Sequence, residues 1–207
     1  GGSGTLLARE LFPEPMAVTG IALRAEVVDN FSRLLVEDAR IERGEVVARL
    51  SGSARRAEGE LDIALDAEIT GVKLNEVAAL WPPEIAPGAR SWTVENLRDG
   101  RVRSANLHLI GSGPADRLSE FEVVELGGKM EIQGASVHFL RPMRPVTQVD
   151  GVAEFDRKHF LIRTRGGSIG ATKLERGVID LVNLDQGQGE RAKISLGISG
   201  TARDALA

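Results

Sequence analysis

The chain carries its clearest message in the alternation of apolar and polar positions. In Leu61-Asp62-Ile63-Ala64-Leu65-Asp66-Ala67-Glu68-Ile69-Thr70 every odd position is apolar, and every even position except Ala64 is polar. Side chains of a strand point to opposite faces with a period of two, so this segment predicts a strand with one greasy and one wet side. One-sided wetting is the habit of antiparallel sheets. Ala192, Ile194, Leu196 and Ile198 alternate in the same way with Lys193, Ser195, Gly197 and Ser199. Less regular alternation predicts further strands over 17–28, 34–42, 45–54, 101–110, 129–140, 146–156, 159–165 and 176–184. Asp29-Asn30, Arg43-Gly44, Asp99-Gly100, Gly111-Ser112-Gly113, Gly127-Gly128, Gly166-Gly167 and Gly187-Gln188-Gly189 fall between them as turns.

One segment breaks the period. Over Lys73–Trp81, Leu74, Val77, Ala78 and Trp81 stand at the spacing of a helix face, and Pro82-Pro83 stops it. A second helical turn is predicted near Ala115–Glu120, after Pro114. The expected fold is therefore mainly β: a long-stranded antiparallel meander, curved or groove-forming, with one or two short helices. Gly1-Gly2-Ser3-Gly4 reads as an appended scar. Residues 5–207 read as one domain with a helix-containing crossover near 71–91.

Composition narrows the chemistry. The chain has 26 basic and 30 acidic residues and no basic stripe, so a nucleic-acid partner is not expected. It has no cysteine, which excludes disulfides, thiolate catalysis and cysteine metal sites. No apolar run is long enough to span a bilayer as a helix. Glycine is abundant, at 24 residues, and tyrosine is absent; this suits strands joined by tight turns better than an aromatic stacking platform.

Three constellations invite an active-site reading, and each has a plainer one. Gly166-Gly167-Ser168-Ile169-Gly170 has the spacing of a hydrolase nucleophile elbow. That motif needs a following helix and a later histidine; His108, His138 and His159 all precede Ser168, so a glycine-rich hairpin is favoured. The histidines lack metal-ligand spacing. Asp62, Asp66 and Glu68 share a strand face, where solvation explains them without catalysis. No enzyme activity, cofactor or metal is expected. The apolar strand faces remain, and periodicity fits two fates equally: a closed core, or an open curved sheet that binds acyl chains.

Some motifs resemble a known family. Trp81-Pro82-Pro83 is followed by Arg90-Ser91-Trp92, Asn96-Leu97 and Gly100-Arg101-Val102. Gly134 to Phe139 leads into Leu140-Arg141-Pro142-Met143-Arg144-Pro145, then Gly151-Val152-Ala153-Glu154-Phe155. With Ile179-Asp180-Leu181 and Ile198-Ser199-Gly200-Thr201-Ala202, these stretches resemble YhdP-type AsmA-like proteins over about residues 70–207. The resemblance implies a segment of a bacterial envelope protein anchored in the inner membrane through a part absent here. That parent works in the periplasm, carries phospholipid acyl chains in an apolar β-groove between inner and outer membranes, and maintains the outer membrane. Under that reading Leu61, Ile63, Leu65, Ile69, Ile194, Leu196 and Ile198 line the groove, and the helix at Leu74, Val77, Ala78 and Trp81 caps its end. The partners are then phospholipid acyl chains and the remainder of the parent chain. The alternative is a structural or interaction module with a closed core and no lipid.

Overall fold

The structure is a computed structural model that describes residues 2–6, 15–83, 87–117, 120–139, 144–170, 172–184 and 191–200. The fold is mainly β, an antiparallel meander with two short helices. The described residues form two compact units. Unit 1 takes them from Gly1–Gly71 and Ala105–Gly128, and unit 2 from Val72–Ser104 and Lys129–Ala207. The first boundary, between Gly71 and Val72, falls at the start of the crossover predicted near 71–91.

Unit 1 contains β1 (Gly2–Leu6), β2 (Met16–Val28), β3 (Arg33–Arg43), β4 (Val46–Ala57) and most of β5 (Glu60–Lys73). Next to β5 lie the C-terminal part of β7 (Arg101–Pro114) and the N-terminal part of β8 (Glu122–Val137), in the order β1-β2-β3-β4-β5-β7-β8. The pairings of β2 through β5 are antiparallel hairpins. Two predicted turns are instead strand interior: Gly111-Ser112-Gly113 lies in β7 and Gly127-Gly128 in β8. Glycine punctuates only where the backbone turns, and here the ladder continues through it. Of the helical turn predicted at 115–120, Ala115 and Asp116 form a turn and Glu120 a 3-10 residue, while 118–119 lie outside the described residues.

Unit 2 continues β7 and β8 and adds β9 (Val146–Asp156), β10 (His159–Arg165), β12 (Thr172–Val182) and the edge strand β13 (Arg191–Ser199). Two short strands complete it: β6 (Leu97–Arg98) on β8 and β11 (Ser168–Ile169) between β9 and β12. The helix predicted over 73–81 is a 3-10 turn at Leu74–Glu76 followed by the single α-turn α1 (Val77–Leu80). Leu74 and Val77 are buried, Trp81 is half-buried, and Ala78 points to solvent. The tighter winding of the 3-10 turn rotates the i+4 position off the apolar stripe. A longer helix, α2 (Pro87–Asn96), was not predicted, because its apolar positions are few; Pro87 suits the first turn, where a missing N–H costs nothing. Arg90 ties the two together: its guanidinium donates to the carbonyl oxygens of Ala78 and Trp81 at 2.8 Å each, satisfying acceptors that the end of α1 leaves open.

These helices seal one face of the unit 2 sheet. Val149, Ala153, Phe155, Phe160, Ile162, Ile179 and Leu181 of the sheet are buried, as are Leu74, Val77, Ala89 and Leu97 of the crossover, and Leu97 lines one small void with Val149, Ile162 and Ile179. Trp81 packs on Phe155 (centroids 6.0 Å apart) and Trp92 meets Phe160 edge-on at 6.2 Å, a favoured aromatic geometry. The void left inside is about 10 Å³, room for roughly one water. The chain reverses into β7 at Asp99-Gly100, both in the left-handed region. A Cβ on Gly100 would also overlap the carbonyl oxygen of Gln133, so glycine is required there twice over. Phe160→Ala empties the centre of this core and is expected to cost about 3–5 kcal/mol, read as a fall in the midpoint of urea unfolding.

Candidate functional site

In unit 1 the register decides which side chains share a face. Ile21 pairs with Ile41, Leu23 with Ala39, Ala25 with Val36 and Val27 with Leu34. Ile41 then pairs with Ala48, Ala39 with Leu50, Val36 with Gly52 and Leu34 with Ala54. These pair in turn with Ile69, Ala67, Leu65 and Ile63. The β5–β7 register follows from Ala115, whose N–H donates to the Gly59 carbonyl oxygen (2.8 Å), and from His108 facing Asp66. It sets Ile69 beside Ala105, Ala67 beside Leu107, Leu65 beside Leu109 and Ile63 beside Gly111.

The result is four rows across five strands in which every residue is apolar or glycine. The parity of β3 changes partway, from Leu34 and Val36 to Ala39 and Ile41. The change falls at a bulge, where Glu37-Asp38 oppose one residue of β4. The bulge returns the second half of the strand to the shared face.

This face is open. Leu23 is 65% exposed, Val27 50% and Leu34 38%. Leu61, Ile63, Leu65 and Ile69 are half-buried, none of them sealed. Among the described residues, all but four of the buried apolar side chains belong to unit 2; the exceptions are Val18, Val46, Ala105 and Leu126. Rows two residues apart and strands ~4.8 Å apart give a patch of about 20 by 19 Å, or roughly 400 Å² in plan. The largest apolar patch of an ordinary monomer is of this order and is often functional.

The seven residues predicted to line a groove therefore fall into two groups. Leu61, Ile63, Leu65 and Ile69 stand together on the open face of unit 1. Ile194, Leu196 and Ile198 lie on β13, the edge strand of unit 2, where Ile194 and Leu196 are half-buried and Ile198 is exposed. The capping residues Leu74, Val77 and Trp81 cover the unit 2 sheet. Sequence reasoning missed the contributions of β2, β3, β4 and β7 to the open face. Their signal was present in Ile21, Leu23 and Val27, but the bulge and the glycines hid the shared row.

The opposite face of unit 1 carries its charged side chains, several of them paired. Arg55 holds Asp62 at 2.7 Å, Arg24 holds Glu37 at 2.7 Å, and Glu68 stands opposite Arg49 in the ladder. A shallow depression of about 310 Å³ lies among Arg49, Ser51, Asp66 and Glu68. The His108 Nδ1–Asp66 Oδ1 distance is 2.7 Å, with Glu125 4.0 Å from Nε2. The hydrogen bond to Asp66 raises the His108 pKa above its ordinary value, and the charges of Asp66 and Glu125 act in the same direction. In unit 2 the Arg163 hydrogen bond lowers the Glu154 pKa, helped by Lys129.

The remaining candidates for chemistry are placed as follows. Ser168 lies in β11, its hydroxyl 3.4 Å from that of Thr147, and a strand, not a helix, follows at Thr172. The histidines of unit 2 have separate settings: His159 Nε2 lies 2.5 Å from Asp180 Oδ1, and the backbone N–H of His138 donates to the Asn96 carbonyl oxygen. Among the described residues no three His, Cys, Asp or Glu side chains converge to hold a metal ion. No family model matches the chain, and neither a curated protein nor a solved structure matches it.

The His108 pair yields a pH prediction. A raised folded-state pKa adds stability that is complete below the unfolded value of about 6.5 and is lost as pH rises through the folded pKa. The His108 ring resonances should therefore titrate above the ordinary histidine midpoint in NMR, and Asp66→Asn should return most of that shift.

Proposed function

We propose that the open apolar face of unit 1 binds phospholipid acyl chains, and that the chain is a non-enzymatic segment of a bacterial envelope protein that carries lipid. The observation that carries this reading is the uncovered patch of four apolar rows over five strands. Water against such a patch is unfavourable, and removing one CH₂ from water is worth about 0.8 kcal/mol. A hydrocarbon guest gains that for each methylene it lays on the face. The four rows run about 20 Å along the strands, against the ~15 Å that one leaflet's acyl layer occupies in a ~30 Å hydrocarbon core. Sliding along such a face requires no general base, nucleophile or metal. The polar rear face keeps the sheet wetted while the front carries hydrocarbon.

The resemblance to AsmA-like proteins supports the same reading. It adds a periplasmic setting, an inner-membrane anchor on the parent chain, and a role in maintaining the outer membrane. No nucleic acid enters it. A second reading, a structural or interaction module, is favoured by unit 2 taken alone. Its core is sealed by its own helices, and β13 presents a strand edge of the kind that pairs with other chains.

The readings part on one experiment. The purified protein is extracted with organic solvent and the extract examined by mass spectrometry for phospholipid. Under the lipid reading, lipid co-purifies with the wild type and is lost from Leu23→Ser and Leu65→Ser. Those variants stay folded, because the face is open: a loss near 1 kcal/mol lowers Tm by only about 2–4 °C. Ile162→Ser in the sealed core of unit 2 is the contrast, and is expected to cost several kcal/mol. A wild type free of lipid, or Leu23→Ser and Leu65→Ser that unfold, leaves the module reading.

A further inference from the structure

We propose that Phe121 is the end stop of the open face and sets the length of acyl chain it accepts; this rests on the reading above that unit 1 binds acyl chains. The argument starts from two glycines. Gly111 and Gly113 occupy positions of β7 where the rows beside Ile63 and Leu61 would otherwise carry side chains. Neither has a positive φ, so the backbone conformation does not demand glycine. The space does. A Cβ on Gly111 would overlap the Phe121 ring, and one on Gly113 would stand 2.7 Å from the Phe121 Cα and 3.0 Å from the Glu120 carbonyl oxygen.

The Glu120–Phe121 segment, which leads directly into the neighbouring strand β8, therefore lies against the Cβ side of Gly111 and Gly113. It lays a half-buried aromatic ring over the last row and backbone over the position beyond it. The strip between β5 and β7 runs past the half-buried Ile69, Ala67 and Leu65, and the ring lies over its last row at Gly111, the residue beside Ile63. An extended chain lying along the strip meets the ring with its terminal methyl. A flat apolar ring is a suitable end wall, since it stops the methyl without exposing it to water. Removing the ring opens one more row, about 7 Å along the strand. Enlarging it shortens the strip.

The test uses the full chain and saturated fatty acids from decanoic to eicosanoic acid, with affinity measured by displacement of a fluorescent fatty acid. In the wild type, affinity should rise with each added methylene and then level off where the chain reaches the ring. In Phe121→Ala the rise should continue over several further methylenes, at about fourfold per methylene accommodated. In Phe121→Trp it should level off earlier. Circular dichroism melts check folding, and Phe121→Leu reads the same lengthening if the alanine variant fails to fold. A ring that merely fills space over the glycines would change overall affinity or stability without moving the levelling point. An unmoved levelling point in the lengthening and shortening variants therefore overturns the end stop and leaves the binding face intact. A wild type that binds none of the acids overturns the acyl-chain reading itself.

Discussion

Everything in this molecule depends on the hydrogen-bonded register of neighbouring strands. A strand shows alternate residues to opposite faces, so a slip of one residue would move a whole apolar row to the polar side. The ladders from β2 to β5 hold Ile21, Ile41, Ala48 and Ile69 in one row and Val27, Leu34, Ala54 and Ile63 in another. Where sequence parity fails, bulges restore it. Glu37-Asp38 does this in β3, and an extra residue between Leu174 and Arg176 does it in β12. The buried residues Met130 and Ile132 precede, and Ala135 and Val137 follow, Gly134 in its left-handed conformation, another point where parity changes without an apolar side chain leaving its face. Such bulges belong to the fold as much as the strands do.

The same kind of face meets two fates. In unit 2 the 3-10 turn, α1 and α2 lie on the sheet, and Phe160, Ile162 and Ile179 are shut away almost completely. Among the described residues of unit 1 no helix covers the rows, and Leu23 and Val27 remain at least half exposed. Burying a large apolar side chain is worth about 1.5–3 kcal/mol. The sealed face therefore stabilises its unit, whereas the open one leaves much of that free energy unrealised. A surface of this kind needs no reactive group.

The polar groups fit that division. The three carboxylates that share a face of β5 have separate partners: Asp62 with Arg55, Asp66 with His108, and Glu68 opposite Arg49. Each pair is solvent-facing, so it contributes little to stability individually. What these pairs supply is a wetted rear face on the unit 1 sheet, which is one layer thick among the described residues.

How much was legible in the sequence differs by level. The alternation in Leu61–Thr70 and Ala192–Ser199 was enough to place β5 and β13, because period two is a local property of the backbone. The end of β10 could be read from the Gly166-Gly167 turn that follows it. The helix α2 was hidden, since packing on Phe160 through Trp92 organises it more than any apolar stripe of its own. The strand interior at Gly111–Gly113 was hidden as well, because those glycines answer to the Phe121 ring, ten residues further on. By itself the sequence determined which residues are fit to lie on a greasy face. Only the tertiary structure decided which face received a helical cover and which stayed bare. Covering a sheet depends on where distant segments come to rest, and local periodicity is blind to that.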